Sequence, residues 1–455
     1  MTNTLYVPQE VSKGSAHITS KIDEKFDKTN FMIKNMQDNL AYKYYLLSNN
    51  LEDHSLSILE DFKFRYSEYR RKWKSQPHSA FEILNKDEDY EKLLSQINPL
   101  CIDIETASIC DLACPHCYRE YLMTPDKIMD ENLYKKIIDE IADLGIPSIK
   151  LNWRGEPLLN PKIYDYIKYA KEKGVLEVSI NTNATQLNEE NSNKLLISGI
   201  DHVIFSFDGG TKSTYEKMRP GRFKSNKFEN TYNNIKKFCS KKKERGLSFP
   251  ITKIQMVLTE NSRNEVDEFY KLFKNLVDDV TVTHYQERGG KVDDLKKEQK
   301  DKLKNYINVN SLDENIPYMV TPEGTIFVSR SRKPCEQLFQ RLMITYSGKV
   351  GMCCHDWGAK HPVGYVDKKG FKEINDINNV KEKIKKNSKG FELLQFAKEP
   401  ENFNILKPEV KKLIDIWRND ELKRVRLMHK RQELSNLKIC KNCSFKETYN
   451  WESIE

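Results

Sequence analysis

The chain has 455 residues, of which 38% are hydrophobic and 31% are charged. Its 75 Lys and Arg outnumber its 67 Asp and Glu, which gives a net charge of +8. This length predicts two or three domains, and the 22 Tyr and 20 Phe argue against a disordered chain. Because basic and acidic residues are interspersed, so mild an excess does not indicate a nucleic-acid partner.

The sequence shows neither a membrane span nor a secretion signal. It has no run of 18 apolar residues, which a transmembrane helix would need, and its N-terminus lacks the basic and apolar regions of a signal peptide. We therefore expect a cytoplasmic protein with no membrane partner. In that reducing compartment the ten cysteines are better explained as metal ligands or redox groups than as disulfides.

Residues 1–95 are polar and rich in Tyr and Lys, and they are expected to form a helical extension. An amphipathic stretch from Leu51 to Trp73 predicts one helix. Pro77 lacks the amide N–H that a continuing helix needs, so the helix is predicted to end at Ser75-Gln76-Pro77-His78. No residue before position 100 shows a pattern that indicates chemistry.

From residue 100 onward, short β-rich runs alternate with amphipathic helical stretches, which predicts βαβ units and a parallel sheet. The predicted strands are Cys101–Ala107, Ser148–Trp153, Glu177–Thr182, His202–Asp208, Thr252–Thr259 and Val280–Tyr285. The predicted helices lie near 131–144, 162–173, 189–198, 227–244 and 263–276. Six such units form an open α/β barrel, in which the carboxyl ends of the strands carry the site.

The pattern changes after residue 290. Residues 290–312 are charged and predicted to be helical or linking. Thr325–Ser329 and Met343–Val350 are predicted strands, the latter containing the turn Ser347-Gly348-Lys349. A helical tail follows from about 407 to 434. These changes predict three domains, over residues 1–95, 96–312 and 313–455.

Three cysteines, Cys110, Cys114 and Cys117, lie within SICDLACPHCYRE, directly after the first predicted strand. Thiolates select zinc or iron–sulfur clusters. Three ligands leave one coordination position open, which is typical of a reactive centre. The alternative is a structural zinc with His116 or a distant residue as fourth ligand, although His116 is awkwardly placed between Pro115 and Cys117.

This CxxxCxxC pattern, followed by the aromatic Tyr118, resembles the radical S-adenosylmethionine (SAM) superfamily. Three further motifs of that family follow the second, third and fourth predicted strands, and one more lies downstream of the fourth strand. They are Arg154-Gly155-Glu156-Pro157, Asn181-Thr182-Asn183-Ala184-Thr185, Ser206-Phe207-Asp208-Gly209 and Arg219-Pro220-Gly221. The first resembles the family's GGEP and the second its TNGT, with Arg154 and Ala184 each replacing a glycine. Each motif alone is weak, but four in order at successive strand ends are specific.

The resemblance implies a 4Fe–4S cluster held by Cys110, Cys114 and Cys117, with SAM chelating its fourth iron. It implies cleavage of SAM by one electron and abstraction of a substrate hydrogen by the resulting 5′-deoxyadenosyl radical. Flavodoxin or ferredoxin would be the reductant. The residues implied to bind SAM are Gly155, Glu156, Pro157, Asn181, Asn183, Ser206, Asp208 and Arg219.

A second group of cysteines supplies four further ligands, namely Cys335, Cys353, Cys440 and Cys443. Four thiolates make a closed site that suits either zinc or an iron–sulfur cluster. With Ile344, Gly348 and Val350 between the first two cysteines, the arrangement resembles the SPASM/twitch extension of radical SAM enzymes. Only five cysteines follow residue 330, so we expect one auxiliary 4Fe–4S cluster, with Cys354 as a buried spare or as a replacement for Cys353.

The predicted fold is therefore α/β, a partial (β/α)6 barrel with an N-terminal helical extension and a small C-terminal iron–sulfur domain. Four polar residues near the end of the sixth strand are candidates for substrate binding or acid–base roles, or they form a solvated loop; they are His284, Tyr285, Glu287 and Arg288. His355 and Asp356 are expected to support the second cysteine group. The Lys-rich run around Cys239 is a solvated face, with docking of an acidic reductant as a second use.

The leading functional hypothesis is an oxidoreductase-type radical SAM enzyme that acts on a small polar substrate such as a sugar or aminocyclitol. The outcome would be dehydrogenation, epimerisation or elimination. A peptide-modifying maturase is the second hypothesis. A zinc-stabilised protein that binds nucleic acid is the non-enzymatic alternative.

Overall fold

A computed structural model gives the architecture of the chain. It describes residues 15–18, 29, 32–33, 55–83, 92–93, 95–117, 119, 124–285, 295–314, 316–321, 324–373, 376, 379, 407–441, 443, 445 and 448–454. All statements below concern these residues. Glu287, Arg288 and Tyr118, which the sequence analysis singled out, lie outside them.

Six parallel strands form the centre of the molecule, and they confirm the six strands predicted from sequence. They are β2 (Cys101–Ile104), β3 (Ser148–Lys150), β4 (Glu177–Thr182), β5 (His202–Ser206), β6 (Ile251–Leu258) and β7 (Asp279–His284). Each pairs in parallel with the next in chain order. The first ends earlier than predicted, because Thr106 leaves the ladder and donates its hydroxyl to the Leu151 carbonyl at 2.8 Å.

The connections between these strands are helical, as predicted. The helices are α2 (Glu131–Asp143), α3 (Ile163–Glu172), α4 (Glu189–Ile197), α5 (Lys212–Met218), α6 (Phe228–Glu244) and α7 (Val266–Phe273). The Asp130 carboxylate caps α2 by accepting from the Asn132 and Leu133 amides, and Tyr134 on its buried face stacks on Tyr166 of α3 with centroids 4.0 Å apart. The short helix α5 is absent from the sequence prediction.

Further strands extend this sheet at both edges. At one edge β1 (Ser15–Ile18) pairs antiparallel with β7. At the other, β10 (Arg341–Ile344) pairs in parallel with β2 and is followed by β11 (Lys349–Gly351) and β12 (Pro362–Tyr365), which gives a ten-stranded sheet in the described residues. The strand predicted over Met343–Val350, with its turn at Ser347-Gly348-Lys349, is confirmed. It is the β10–β11 hairpin, which turns at Gly348 with φ +89°.

The N-terminal helix α1 (Ser55–Ile83) runs through Pro77, so the prediction that it ends there is wrong. Proline removes the amide that would bind the Trp73 carbonyl. The side-chain amide of Gln340 replaces that donor, at 2.7 Å from the Trp73 oxygen. A hydrogen bond from a distant segment thus lets the helix continue.

Helix α1 covers the amino-terminal end of the barrel. Its Tyr66 hydroxyl donates to the Glu177 carboxylate at 2.6 Å. Tyr66 also packs in one buried group with residues that lie one or two positions before three of the strands, namely Leu100, Leu176 and Phe249. The opposite, carboxyl end of the strands is left for the loops that form the site.

The remaining elements form a second, smaller layer. A three-stranded antiparallel sheet has the order β13 (Tyr449–Ser453), β9 (Ile326–Arg332) and β8 (Tyr318–Val320), and helix α8 (Lys297–Val309) precedes it. The predicted helical tail contains α9 (Leu413–Trp417) and α10 (Asp420–Lys430), and α11 (Lys438–Lys441) follows it. Within the residues described, no helix has the length and apolar character needed to cross a membrane.

Candidate active site

The loop after β2 carries Cys110, Cys114 and Cys117. Backbone hydrogen bonds from Ala113 to the Pro220 carbonyl and from Arg222 to the Asp111 carbonyl, at 2.9 and 2.8 Å, hold this loop against the segment after α5. Burial raises the pKa of the Cys114 thiol, and the neighbouring Cys117 and Cys110 add to that rise. The structure thus brings the three thiols together, as the spacing predicted.

The Gly155-Glu156 peptide lies directly against the start of the cysteine loop. The Glu156 amide donates to the Ile109 carbonyl at 2.8 Å. Gly155 has φ +72°, and a Cβ there would lie 2.5 Å from the Ala107 and Ile109 carbonyl oxygens. Only glycine fits this close approach.

The Glu156 carboxylate joins the strand ends. It accepts hydrogen bonds from the Leu158 amide, the Thr182 hydroxyl and the Asn183 amide, at 3.0, 2.7 and 2.7 Å. Burial raises the pKa of Glu156 to about 7, and these donors oppose the rise. Because its oxygens are already occupied, Glu156 orients the loops that follow β3 and β4.

Asp111 is a residue that the sequence analysis missed. Its carboxylate accepts from the Asn183 side-chain amide at 2.8 Å, from the Thr185 hydroxyl at 2.6 Å and from Gln186 at 2.8 Å. Asn183 also approaches the Cys110 sulfur at 3.9 Å. The signal available was an acidic residue directly beside the first cysteine of the motif.

Asp208 and Arg219, predicted at separate motifs, form one buried ion pair. Arg219 Nε and Nη2 lie 2.7 and 2.6 Å from Asp208 Oδ2, and His116 Nε2 lies 3.2 Å from the same oxygen. Although burial opposes it, these two groups hold the pKa of Asp208 well below its usual range. His116, the alternative zinc ligand, therefore has one ring nitrogen directed at a carboxylate.

Arg154, the residue that replaces a motif glycine, is fully buried in an ion-pair network. Its Nε and Nη2 lie 2.6 and 2.8 Å from the two Glu105 carboxylate oxygens, and Nη2 lies 3.3 Å from Glu373. Glu373 also accepts from the Thr345 and Ser347 hydroxyls at 3.0 and 2.7 Å. The substitution thus connects the loop after β3 to the C-terminal hairpin.

The second cysteine group also converges. Burial raises the pKa of Cys353, and Cys443 and Cys335 are among the neighbours that add to the rise. Burial likewise raises the pKa of Cys440, with Cys443 and Cys335 again contributing. The four cysteines that the sequence selected are therefore neighbours, although they come from three distant segments of the chain.

A cavity of about 670 Å³ lies beside the first cysteine group. Cys110, Cys114 and Cys117 line one end, whereas Cys354, His355 and Trp357 of the C-terminal part line another. The strand ends between them contribute Asn181 and Ser206. Trp73 of α1 also lines the cavity, although no residue before position 100 shows a sequence pattern that indicates chemistry.

Comparison with known families identifies the chain. A model of the radical SAM superfamily matches residues 104–273, and a model of the SPASM iron–sulfur cluster-binding domain matches residues 335–402. The chain belongs to the radical SAM superfamily. Its radical SAM domain carries a 4Fe–4S cluster and SAM, and its SPASM domain carries auxiliary iron–sulfur chemistry.

Three curated relatives show how far the sequence similarity extends. A tungsten-containing aldehyde ferredoxin oxidoreductase cofactor-modifying protein from Pyrococcus furiosus is 27% identical over 185 residues, 40% of this chain and 50% of that protein. An AdoMet-dependent heme synthase from Methanosarcina barkeri is 29% identical over 181 residues, which are 39% of this chain and 48% of that protein. The mycofactocin maturase MftC of Mycobacterium tuberculosis is 23% identical over 191 residues, 42% and 46%. The chain spans about half the length of the curated relatives it matches.

Solved structures resemble the chain over a longer span. SuiB of Streptococcus suis bound to S-adenosylmethionine matches with a TM-score of 0.47 and 15% identity, covering 91% of this chain and 87% of that one. BtrN in complex with AdoMet and 2-DOIA matches with a TM-score of 0.40 and 16% identity, covering 76% and 93%.

The radical SAM site fits the groups that its family implies. The three thiols lie beside a cavity, and at Gly155 the backbone contacts the start of the cysteine loop with no side chain between them. This arrangement suits an iron–sulfur cluster with a bound cofactor. Asn181 Oδ1 is buried at this cavity without a hydrogen-bond partner among the described residues, so an acceptor is available there. In the part of the chain that the structure describes, no three His, Cys, Asp or Glu side chains are placed to bind one metal ion. The ligands of an iron–sulfur cluster do not need that placement, because each binds a different iron.

Two residues around the SPASM cysteines were missed from sequence, His429 and Arg332. The buried His429 accepts from the Cys335 amide at Nδ1, 3.3 Å away, and its Nε2 lies 3.3 Å from Cys440 Sγ. Burial, reinforced by Arg332, lowers the pKa of His429 to about 3. The ring is therefore neutral with its proton on Nε2, and it donates to Cys440. The signal was a histidine on an amphipathic helix just before CKNC.

Of the remaining residues predicted from sequence, some line the cavity and others have structural roles. His284 and Tyr285 are buried and line the cavity, so the solvated-loop interpretation is wrong for them. Asp356 accepts from the Lys360 and His361 amides, at 2.9 Å each, and shapes the turn after the cysteine pair. Cys239 is buried on a helix face, as expected.

Proposed function

We propose that this protein is an oxidoreductase-type radical SAM enzyme that abstracts a hydrogen atom from a small polar substrate. The observation that supports this most directly is the cavity that Cys110, Cys114 and Cys117 line together with Cys354, the neighbour of Cys353 in the second cysteine group. When bound at Cys110, Cys114 and Cys117, the cluster and SAM supply a 5′-deoxyadenosyl radical there. The cavity volume of about 670 Å³ is in the range that holds a small ligand.

In this proposal the strand-end motifs divide into residues that contact SAM and residues that position them. Gly155, Pro157, Asn181 and Ser206 face the cofactor, with Asn181 Oδ1 as an available acceptor. Glu156, Asn183, Asp208 and Arg219 act mainly through each other and through the cysteine loop, because their polar atoms are occupied. Both groups are preorganised before any ligand binds.

The four SPASM cysteines, Cys335, Cys353, Cys440 and Cys443, are proposed to hold one auxiliary 4Fe–4S cluster. Cys353 is buried, whereas Cys354 lines the substrate cavity, which favours Cys353 as the ligand. A cluster placed there would lie beside the substrate and could accept an electron from it. Dehydrogenation is therefore the outcome we favour over epimerisation and elimination.

Aromatic side chains enclose the proposed substrate space. Trp153 and Trp357 stack with centroids 5.7 Å apart and planes at 7°, and the Trp153 indole N–H donates to the Cys354 carbonyl at 2.8 Å. This pair joins the loop after β3 to the SPASM domain. Such a wall excludes water from the radical.

Peptide modification is the second candidate, and the match to a mycofactocin maturase is what favours it. A peptide would need an open groove, so we rank this below a small substrate. For the reductant we propose flavodoxin or ferredoxin. Much of the Lys-rich run of α6 is already engaged, since Lys241 pairs with Glu189 at 3.2 Å and Lys242 with Asp278 at 2.7 Å.

The proposal is tested with anaerobically purified protein. Two clusters would give roughly eight irons per chain, and dithionite with SAM should release 5′-deoxyadenosine. Cys114→Ala should abolish that product, whereas Cys239→Ala, which changes a buried helix cysteine, should keep it. Full product from Cys114→Ala, or none from iron-replete wild type, would contradict the proposal. Deuterated candidate substrates then report the abstracted hydrogen by label transfer.

A further inference from the structure

Three cationic side chains point to the chemistry of the substrate. Lys150 at the end of β3, Lys253 on β6 and Arg341 on β10 all line the cavity. On β6 the lining residues are Lys253, Gln255 and Val257, which is the alternation of one strand face. All three cations therefore face the cavity from strands of the ten-stranded sheet.

Two of the three cations each form an ion pair with a carboxylate of their own. Arg341 Nη1 lies 3.2 Å from Asp103 Oδ2, and Lys253 Nζ lies 3.3 Å from Asp279 Oδ2. The Lys150 ammonium has no ion pair or hydrogen bond among the described residues. The Arg341 guanidinium lies over the Trp73 ring, 5.0 Å from its centroid, and its Nε is buried without a hydrogen-bond partner among those residues.

Register places the unpaired donors close together. Asp103 on β2 is the cross-strand partner of Lys150 on β3, and Arg341 of the adjacent strand β10 reaches the same Asp103. Lys150, Asp103 and Arg341 thus form a row over three neighbouring strands. The row carries one positive charge in excess and two donors without acceptors.

We propose that this row is a binding site for a single anionic group, a carboxylate or a phosphate, on the substrate. A half-buried ammonium without a counter-charge is costly in a confined cavity, and an anionic ligand would remove that cost with charge-assisted hydrogen bonds. That the anion belongs to the substrate rests on the proposed function. It selects sugar acids or phosphorylated compounds over aminocyclitols, which are cationic.

The test uses small probes on the holoprotein with oxidised clusters, so that no turnover competes. Saturation-transfer NMR at constant ionic strength compares acetate, methyl phosphate and acetamide, the neutral isostere of acetate. At least one anion should bind on the order of tenfold tighter than acetamide, and which one does so separates carboxylate from phosphate. Equal binding of all three, or no binding, overturns the site.

Variants assign the binding to the row. Lys150→Met should weaken the preferred anion on the order of tenfold, and Lys150→Arg should keep most of the binding. Lys168→Met, at an exposed lysine of α3, is the matched control and should change nothing. Unchanged anion binding in Lys150→Met, or weaker SAM binding in that variant, overturns the inference. In the second case the lysine serves the cofactor.

The two proposals fail separately. Release of 5′-deoxyadenosine by reduced wild-type protein without any probe tests the radical SAM function alone. If that release is absent while the anion preference persists, the proposed function fails and the anion site stands. If cleavage occurs without anion preference, only the substrate class is wrong.

Discussion

The backbone around position 155 accepts only a glycine. Its positive φ disfavours any side chain, and two carbonyl oxygens of the segment before Cys110 occupy the space of a Cβ. Gly145 has a similar φ of +62° but open space around it. The pair therefore separates backbone strain from steric contact.

We predict that Gly155→Ala abolishes or strongly reduces 5′-deoxyadenosine formation, because the cysteine loop must move to admit the methyl group. Gly145→Ala should lose only the backbone term, about 1 kcal/mol, and keep full activity. The measurements are product formation and apparent melting temperature. Equal activity of the two variants would show that the Gly155 contact does not position the loop.

A second residue-scale prediction concerns His429. Because its neutral ring links the Cys335 amide to the Cys440 sulfur, His429→Phe should keep the volume but lose both hydrogen bonds. We expect iron to fall to about half, by loss of one of two clusters, while SAM cleavage persists. His78→Phe, at an exposed position of α1, is the control. A full iron complement in His429→Phe would contradict this role.

At the scale of elements, α1 continues through a proline because another segment satisfies its open carbonyl. The Gln340 side chain that does so lies just before β10 and follows Phe339, whose carbonyl accepts from Gln76 of α1 at 2.6 Å. The helix and the start of the SPASM hairpin are therefore joined by reciprocal side-chain bonds.

A double-mutant cycle tests this account. Gln340→Ala should cost about 1–3 kcal/mol, because it leaves the buried Trp73 carbonyl unsatisfied. In a Pro77→Ala background the restored amide can bind that carbonyl, so the same substitution should cost clearly less. Denaturation midpoints of the four proteins give the coupling. Additive effects would mean that Gln340 acts elsewhere.

At the scale of the whole molecule, one sheet runs through both the radical SAM barrel and the SPASM hairpin. Arg154 reinforces this continuity, since it pairs with Glu105 after β2 and with Glu373 after β12. All three side chains are nearly inaccessible to solvent. The residue that departs from the family motif is thus an internal connection between the two domains.

Restoring the motif glycine should therefore destabilise this protein. Arg154→Gly leaves the buried Glu105 carboxylate without a counter-charge and leaves Glu373 with Lys349 alone, at 3.8 Å, which costs about 3–5 kcal/mol. Adding Glu105→Gln should recover part of the loss, because one uncompensated charge disappears. Calorimetry of the three proteins measures the effect. A melting temperature of Arg154→Gly equal to wild type would contradict it.

The sequence by itself determined the six parallel strands, their helices and the positions of both cysteine groups, because hydrophobic period and ligand spacing are local properties of the chain. It did not determine the continuation of α1 past Pro77, the pairing of β10 with β2, or the pairing of Asp208 with Arg219. Each of these depends on a hydrogen bond or ion pair between residues distant in sequence. The shared cavity and the row formed by Lys150, Asp103 and Arg341 likewise exist only after strands from both domains have been placed side by side, since no local pattern encodes which charges meet across a sheet.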